Sequence, residues 1–167
     1  MRELVQVGHQ GVASGDHPTS HLCLEALARL PAGAALDAGC GSGLLALAWA
    51  RLGRGVVLAC DLDPQAVTQA RASAEASGLA DQISVRQGPV EGLPQEALTG
   101  RVILANIPAR AHAALLARLH VPPPAALLSG LRTGEAAPIV AGYRRLGMRV
   151  AGAARQARWE RWTLIRA

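Results

Sequence analysis

The sequence predicts an α/β protein. Its sheet is mostly parallel and doubly wound, with helices on both faces and an antiparallel hairpin at the C-terminal end. Three observations predict it. Short apolar runs alternate with longer amphipathic segments, the pattern of repeated βα units. A glycine turn, Leu36-Asp37-Ala38-Gly39-Cys40-Gly41-Ser42-Gly43, joins the first such run to a helical pattern. The tail reads as two strands, 148–154 and 159–166, joined by a short turn, which is a hairpin.

The elements follow in order. Leu22, Leu24, Leu27 and Leu30 give residues 19–30 an amphipathic helix, with Thr19 or Ser20 as its N-cap. A strand at 34–38 runs into the glycine turn, and a helix at 43–52 follows. The run Gly55 to Cys60 is the next strand, ending at Asp61. Asp63 and Pro64 read as N-cap and first residue of a helix at 64–77, and Gly78 suits its C-terminal end. Then come a strand at 82–87, a short helix near 94–98, a strand at 101–105, a helix at 109–119, a strand at 125–129 and a helix at 134–146. His112 and His120 read as helix-surface residues.

Composition narrows the partners. A chain of 167 residues suits one domain, 1–167, with a full core. Half of it is hydrophobic without a single Phe, so Leu, Val, Ala and Ile must fill that core. The 17 basic residues are all Arg and give a net charge of +5. They are scattered, with no aromatic residues interleaved for stacking, so a solvated surface is favoured over nucleic-acid binding. Three cysteines without a CxxC spacing suggest neither disulfides nor zinc. His17, His21 and Cys23 lack further ligands at metal spacing. No apolar stretch is long enough to span a membrane, and the first residues show no signal-peptide core. A cytoplasmic protein is expected.

The glycine turn is the first chemical signal. Glycines let a backbone approach a ligand closely, and the helix that follows offers N–H groups to anions. The dinucleotide fingerprint G-x-G-x-x-G requires a glycine where this chain has Leu44. Asp61 is the second signal. An acid roughly 20 residues past such a turn, ending the second strand, accepts hydrogen bonds from ribose hydroxyls. The bland alternative is a solvated loop acid. Asn106 is the third. The chain's only asparagine ends the apolar run Val102-Ile103-Leu104-Ala105, at the strand end that faces the ligand crevice. It would hold an amine acceptor there, or merely cap the next helix.

Asp37-x-Gly39-x-Gly41-x-Gly43 resembles motif one of the class I S-adenosylmethionine (SAM) methyltransferases, and Asn106-Ile107-Pro108 resembles the Asn-Pro-Pro-Tyr motif of nitrogen-directed members. Four further segments resemble one family, the ribosomal protein L11 methyltransferases. These are Gly15-Asp16-His17-Pro18-Thr19-Ser20, Leu104-Ala105-Asn106-Ile107, Leu128-Ser129-Gly130-Leu131 and Trp159-Glu160-Arg161-Trp162. The match runs from about Gly11 to Arg166 and takes in the family's catalytic domain, not its N-terminal recognition domain.

The resemblance implies a seven-stranded, Rossmann-like methyltransferase fold with SAM as cofactor. It implies a cofactor site of Asp37, Gly39, Cys40, Gly41, Gly43, Asp61, Leu62, Gly88 and Asn106. Residues 1–30 would form a lid loop and helix over a core of 31–167, with Gly15, His17, Thr19 and Ser20 against the cofactor and the Thr19 and Ser20 hydroxyls near its carboxylate. Asn106 would be the catalytic residue and a protein amine the acceptor, a ribosomal protein among the candidates. Two departures stand out: Val12-Ala13-Ser14 replaces the family's Phe-Gly-Thr, and Pro89 stands where many methyltransferases place a polar side chain near the adenine. They motivate a second reading, a noncatalytic SAM-binding module that serves a partner. Small-molecule methylation and a nicotinamide oxidoreductase are the remaining readings.

Overall fold

A computed structural model describes residues 17–167. Five α-helices and seven strands follow one another in the described residues. They are α1 (Pro18–Leu27), β1 (Ala35–Ala38), α2 (Leu44–Arg51), β2 (Val57–Asp61), α3 (Pro64–Ala76), β3 (Ile83–Gln87), β4 (Val102–Asn106), α4 (Ala109–Arg118), β5 (Ala125–Arg132), α5 (Ala136–Arg145), β6 (Met148–Gln156) and β7 (Trp159–Arg166). Two 3-10 turns, Val90–Gly92 and Gln95–Ala97, occupy the place of the predicted helix near 94–98.

The strands form one sheet in the order β3-β2-β1-β4-β5-β7-β6. β3, β2, β1, β4 and β5 run parallel, and β7 is antiparallel to both β5 and β6. The chain therefore reverses direction of winding at β1, between β2 and β4. In a sheet of this kind the crevice opens at the carboxyl ends of the strands beside that point.

Side-chain alternation explains why the central strands read as unbroken apolar runs. Ala35, Val57, Ala59, Val102, Leu104 and Leu127 face a core shared with α1, α2 and α3. Their neighbours Leu36, Leu58, Cys60, Ile103, Ala105 and Leu128 face a second core under α4 and α5. Trp49 and Tyr143 supply the bulk that Phe would otherwise give, one in each core, and both are fully buried. Trp49 also donates its indole N–H to Gly33 O at 3.1 Å.

Four expectations need correction. The N-cap of α1 is His17, not Thr19 or Ser20: Pro18 occupies the first helical position, and the imidazole accepts the Thr19 N–H. β5 runs to Arg132 rather than stopping at 129, because the Ser129-Gly130 segment is a bulge within the strand and not its end. His112 is fully buried rather than on the helix surface. It lies in register with Leu115 and Leu119, which face the second core, and its Nε2–H donates to Ser129 O at 2.8 Å. Exposed His120 follows α4 instead of lying on it.

Candidate active site

The glycine turn leaves β1 and is tied down by its neighbours. The Gly39 and Cys40 N–H groups both donate to Cys60 O, at 2.8 and 3.0 Å. Gly41 N–H donates to Asp61 Oδ2 at 2.9 Å. Gly39 has φ +69, and a Cβ there would lie 2.4 Å from Ile107 Cγ2. Its glycine is required by the protein itself. Gly41 has φ +54, yet a Cβ there would meet nothing within 4 Å. On that side the backbone is left bare toward the cleft.

Gly43 caps α2 without a side chain. Asp37 does the capping from β1: its Oδ2 accepts Ala46 N–H at 3.0 Å. The Asp37 carboxyl is almost fully buried, and burial pushes its pKa up to about 7. The Ala46 N–H pulls it down and the nearby Asp61 charge pushes it further up.

Asp61 ends β2 beside the turn. While Oδ2 holds Gly41, Oδ1 accepts Asp63 N–H at 3.0 Å. Asp63 in turn caps α3 through Gln65 N–H at 2.9 Å, the division of labour that the sequence predicts for these two acids. Each Asp61 oxygen keeps a second lone pair for hydroxyl donors.

Asn106 ends β4, next to β1. Its Nδ2 donates to Thr19 Oγ1 at 3.1 Å, across 87 residues. Thr19 and Ser20, in the first turn of α1, are both buried at 2 % exposure. Ile107 N–H donates to Ser129 O, so the segment after Asn106 is pinned to β5.

A cleft of two lobes opens here. The first, about 400 Å³, is lined by Ser20, Asp37, Gly41, Asp61 and Asn106, with Gln65 and Gln69 from α3. The second, about 520 Å³, is lined by Leu62, Gly88, Pro89, Val90 and Ile107, with Glu91 and Arg110 at its edge. Gly39, Asp61 and Asn106 belong to both, so the lobes meet at the turn. Cys40 lines the first lobe as a thiol. Burial and the Asp37 and Asp61 charges raise its pKa, which removes it as a nucleophile.

Residues 10–166 match the family model described as Ribosomal protein L11 methyltransferase (PrmA). The chain belongs to the ribosomal protein L11 methyltransferase family. It is 42% identical over 155 residues to the ribosomal protein L11 methyltransferase of Parasynechococcus marenigrum, a match covering 87% of this chain and 53% of the relative. The chain spans about half the length of the curated relatives it matches. The crystal structure of ribosomal protein L11 methylase from Lactobacillus delbrueckii superposes with TM-score 0.78 at 22% identity, covering 95% of this chain and 89% of that one. A Streptococcus pneumoniae protein, provisionally named a tRNA methyltransferase and in complex with SAM, superposes with TM-score 0.68 at 18% identity, covering 86% and 71%. At these identities both superpositions establish the fold.

Within this L11 methyltransferase family member, the sequence-predicted residues gather at one cleft. Asp37, Gly39, Cys40, Gly41, Asp61, Leu62, Gly88, Ser20 and Asn106 line it. Gly43 stands behind it, against Ala70 of α3. Thr19 points its hydroxyl at Asn106 and His17 instead of lining either lobe. His17 lies against Trp159, with ring centroids 5.1 Å apart. Gly15, Val12, Ala13 and Ser14 lie outside the described residues. Sequence reasoning missed Gln65 and Gln69. Their signal was present: they sit four apart in the first turns of a helix capped by the acid after Asp61. Among the described residues no group of three or more His, Cys, Asp or Glu is placed to hold a metal, and no helix is long and apolar enough to cross a membrane.

Proposed function

We propose that this chain is a SAM-dependent methyltransferase acting on a protein amine, with a ribosomal protein as the first candidate acceptor. The observation that carries the reading is the meeting of the two lobes at Gly39, Asp61 and Asn106, beside the open face of Gly41. A cleft with a bare backbone turn in the middle, a carboxylate beside it, a polar lobe on one side and a more apolar lobe on the other suits an amino-acid–ribose–base ligand. Ser20 and the first turn of α2 would meet the amino-acid end, Asp61 the ribose hydroxyls, and Leu62, Gly88 and Val90 the base. Pro89 leaves only backbone atoms for the base at that position. When bound, SAM supplies an activated methyl group, so the protein's work is chiefly alignment.

Asn106 would hold an N–H of the acceptor amine and aim its lone pair into the cleft. The described thiols are ill suited to intercept the methyl group, since burial raises the pKa of Cys60 to about 11 and that of Cys23 to about 12. We read residues 1–167 as one catalytic unit, 1–30 as lid loop and helix over a 31–167 core. The buried free cysteines support a reducing, cytoplasmic setting.

The test is incubation with labelled SAM and ribosomal protein L11, then with a cell lysate. Label on L11 or on another protein's amine is expected. SAM binding without label on any protein, RNA or metabolite would favour the noncatalytic module. Binding of nicotinamide dinucleotides in place of SAM would overturn both.

A further inference from the structure

We infer that His17 is a positioning residue: through Thr19 it decides which atom of the Asn106 amide faces the cleft. The inference rests on the reading of Asn106 as the group that holds the acceptor.

The argument follows the hydrogens. His17 caps α1, and its Nδ1 accepts the Thr19 N–H at 3.3 Å. A ring nitrogen that accepts a peptide N–H carries no proton of its own. Thr19 Oγ1 lies 2.7 Å from the same Nδ1, so the hydroxyl proton must also point there. With its proton spent, Oγ1 can only accept from Asn106, whose nearest atom is 3.1 Å away. An amide oxygen in that place would set lone pair against lone pair. The NH2 therefore faces α1 and Oδ1 is turned away from it, with no partner among the described residues.

An Asn rotamer can usually be assigned either way round, and here the helix cap makes the choice. The cap is itself braced. His17 packs edge-on against Trp159 at an interplanar angle of 68°, and Trp159 sits at the tip of the β6–β7 hairpin between Arg132 and Arg158. Thr133 N–H holds that tip by donating to Arg158 O at 2.9 Å. The outcome is a cleft that presents a hydrogen-bond acceptor, matched to an acceptor group that carries N–H. Removing His17 frees the Thr19 hydroxyl to donate to Oδ1 instead, and the amide can then reverse.

Asn106 is the only asparagine, so nitrogen-15 asparagine labelling yields a single side-chain NH2 pair. Thr19→Val and His17→Ala should each move that pair. His17→Asp, whose carboxylate can accept both Thr19 hydrogens, should return it toward the wild-type position. An unmoved pair in the first two variants, or no recovery in the third, overturns the inference. This arm uses neither cofactor nor acceptor. It stays readable even if the wild type methylates nothing, a result that would count against the proposed function instead. With SAM and ribosomal protein L11, His17→Ala should lower kcat about tenfold, leave the KM for SAM within about twofold, and be rescued by His17→Asp. A raised KM with kcat intact would overturn the positioning role.

Discussion

Asp61 holds the Gly41 N–H at 2.9 Å, so the end of β2 shapes the glycine turn before any ligand arrives. The same carboxylate restrains Asp63 at the start of α3. Removing it should both loosen the turn and delete the proposed ribose contact. Asp61→Ala is expected to weaken SAM binding at least tenfold, roughly 1.4 kcal/mol. Titration calorimetry measures this directly, and unchanged affinity would rule the ribose contact out.

Asn106→Ala removes the donor to Thr19 and the group proposed to hold the acceptor. SAM affinity should stay within about threefold of wild type while the transfer rate falls on the order of 100-fold. Single-turnover assays at saturating SAM separate the two. Equal losses in binding and rate would place Asn106 in the cofactor site alone.

Asp37 predicts a pH-dependent stability. Its pKa is about 7 in the folded state against 3.8 ordinarily, so the folded chain holds the proton more tightly than the unfolded one. Stability from this group is therefore greatest below pH 3.8, falls as pH rises toward 7, and is flat above. Asp37→Asn keeps an acceptor for Ala46 and removes the charge. The variant should gain thermal stability relative to wild type at pH 8 and much less at pH 5. Melting curves that stay parallel at the two values would contradict the buried-carboxyl account.

His112 acts in the opposite sense. Burial lowers its pKa from 6.5, with the Ser129 carbonyl opposing the shift. The unfolded chain then takes up a proton that the folded chain refuses, so stability is lost as pH falls below 6.5. His112→Gln, which retains a side-chain donor for Ser129 O, should flatten the acid side of the stability profile. A profile identical to wild type between pH 7 and 5 would dismiss His112 as its source.

The two cavity glycines should differ. Gly39→Ala drives a methyl group into Ile107 and strains the backbone, for an expected loss of about 3 kcal/mol or more in denaturant unfolding. Gly41→Ala has room and carries only the left-handed backbone cost of about 1 kcal/mol. Its larger effect should fall on ligand affinity. Equal unfolding losses would mean that the Ile107 contact relaxes freely.

β4 was legible because burial on both faces leaves no polar residue to interrupt Val102 to Ala105. Asp63-Pro64 announced α3 through side-chain chemistry local to the cap. His17 hid because histidine is outside the usual capping set, and Ser and Thr one turn on drew the cap toward themselves. His112 hid for a related reason: its polarity masked an apolar spacing shared with Leu115 and Leu119. At the site, motif spacing gathered the turn, Asp61 and Asn106. The Asn106–Thr19 bond spans 87 residues and the Asp61–Gly41 bond spans 20, and no local pattern encodes which atoms meet across such gaps.

α1, which supplies Thr19 and Ser20, packs against β7 and β5 as well as β4 and α2. β7 is the final strand in chain order, yet it is inserted between β5 and β6. During synthesis α1 therefore has no complete seat until β7 has left the ribosome. The glycine turn can form beside β2 early, whereas the seat of α1 must wait for β7. Shortening or unsettling β7 would disable the cleft from a distance, through the helix resting on it.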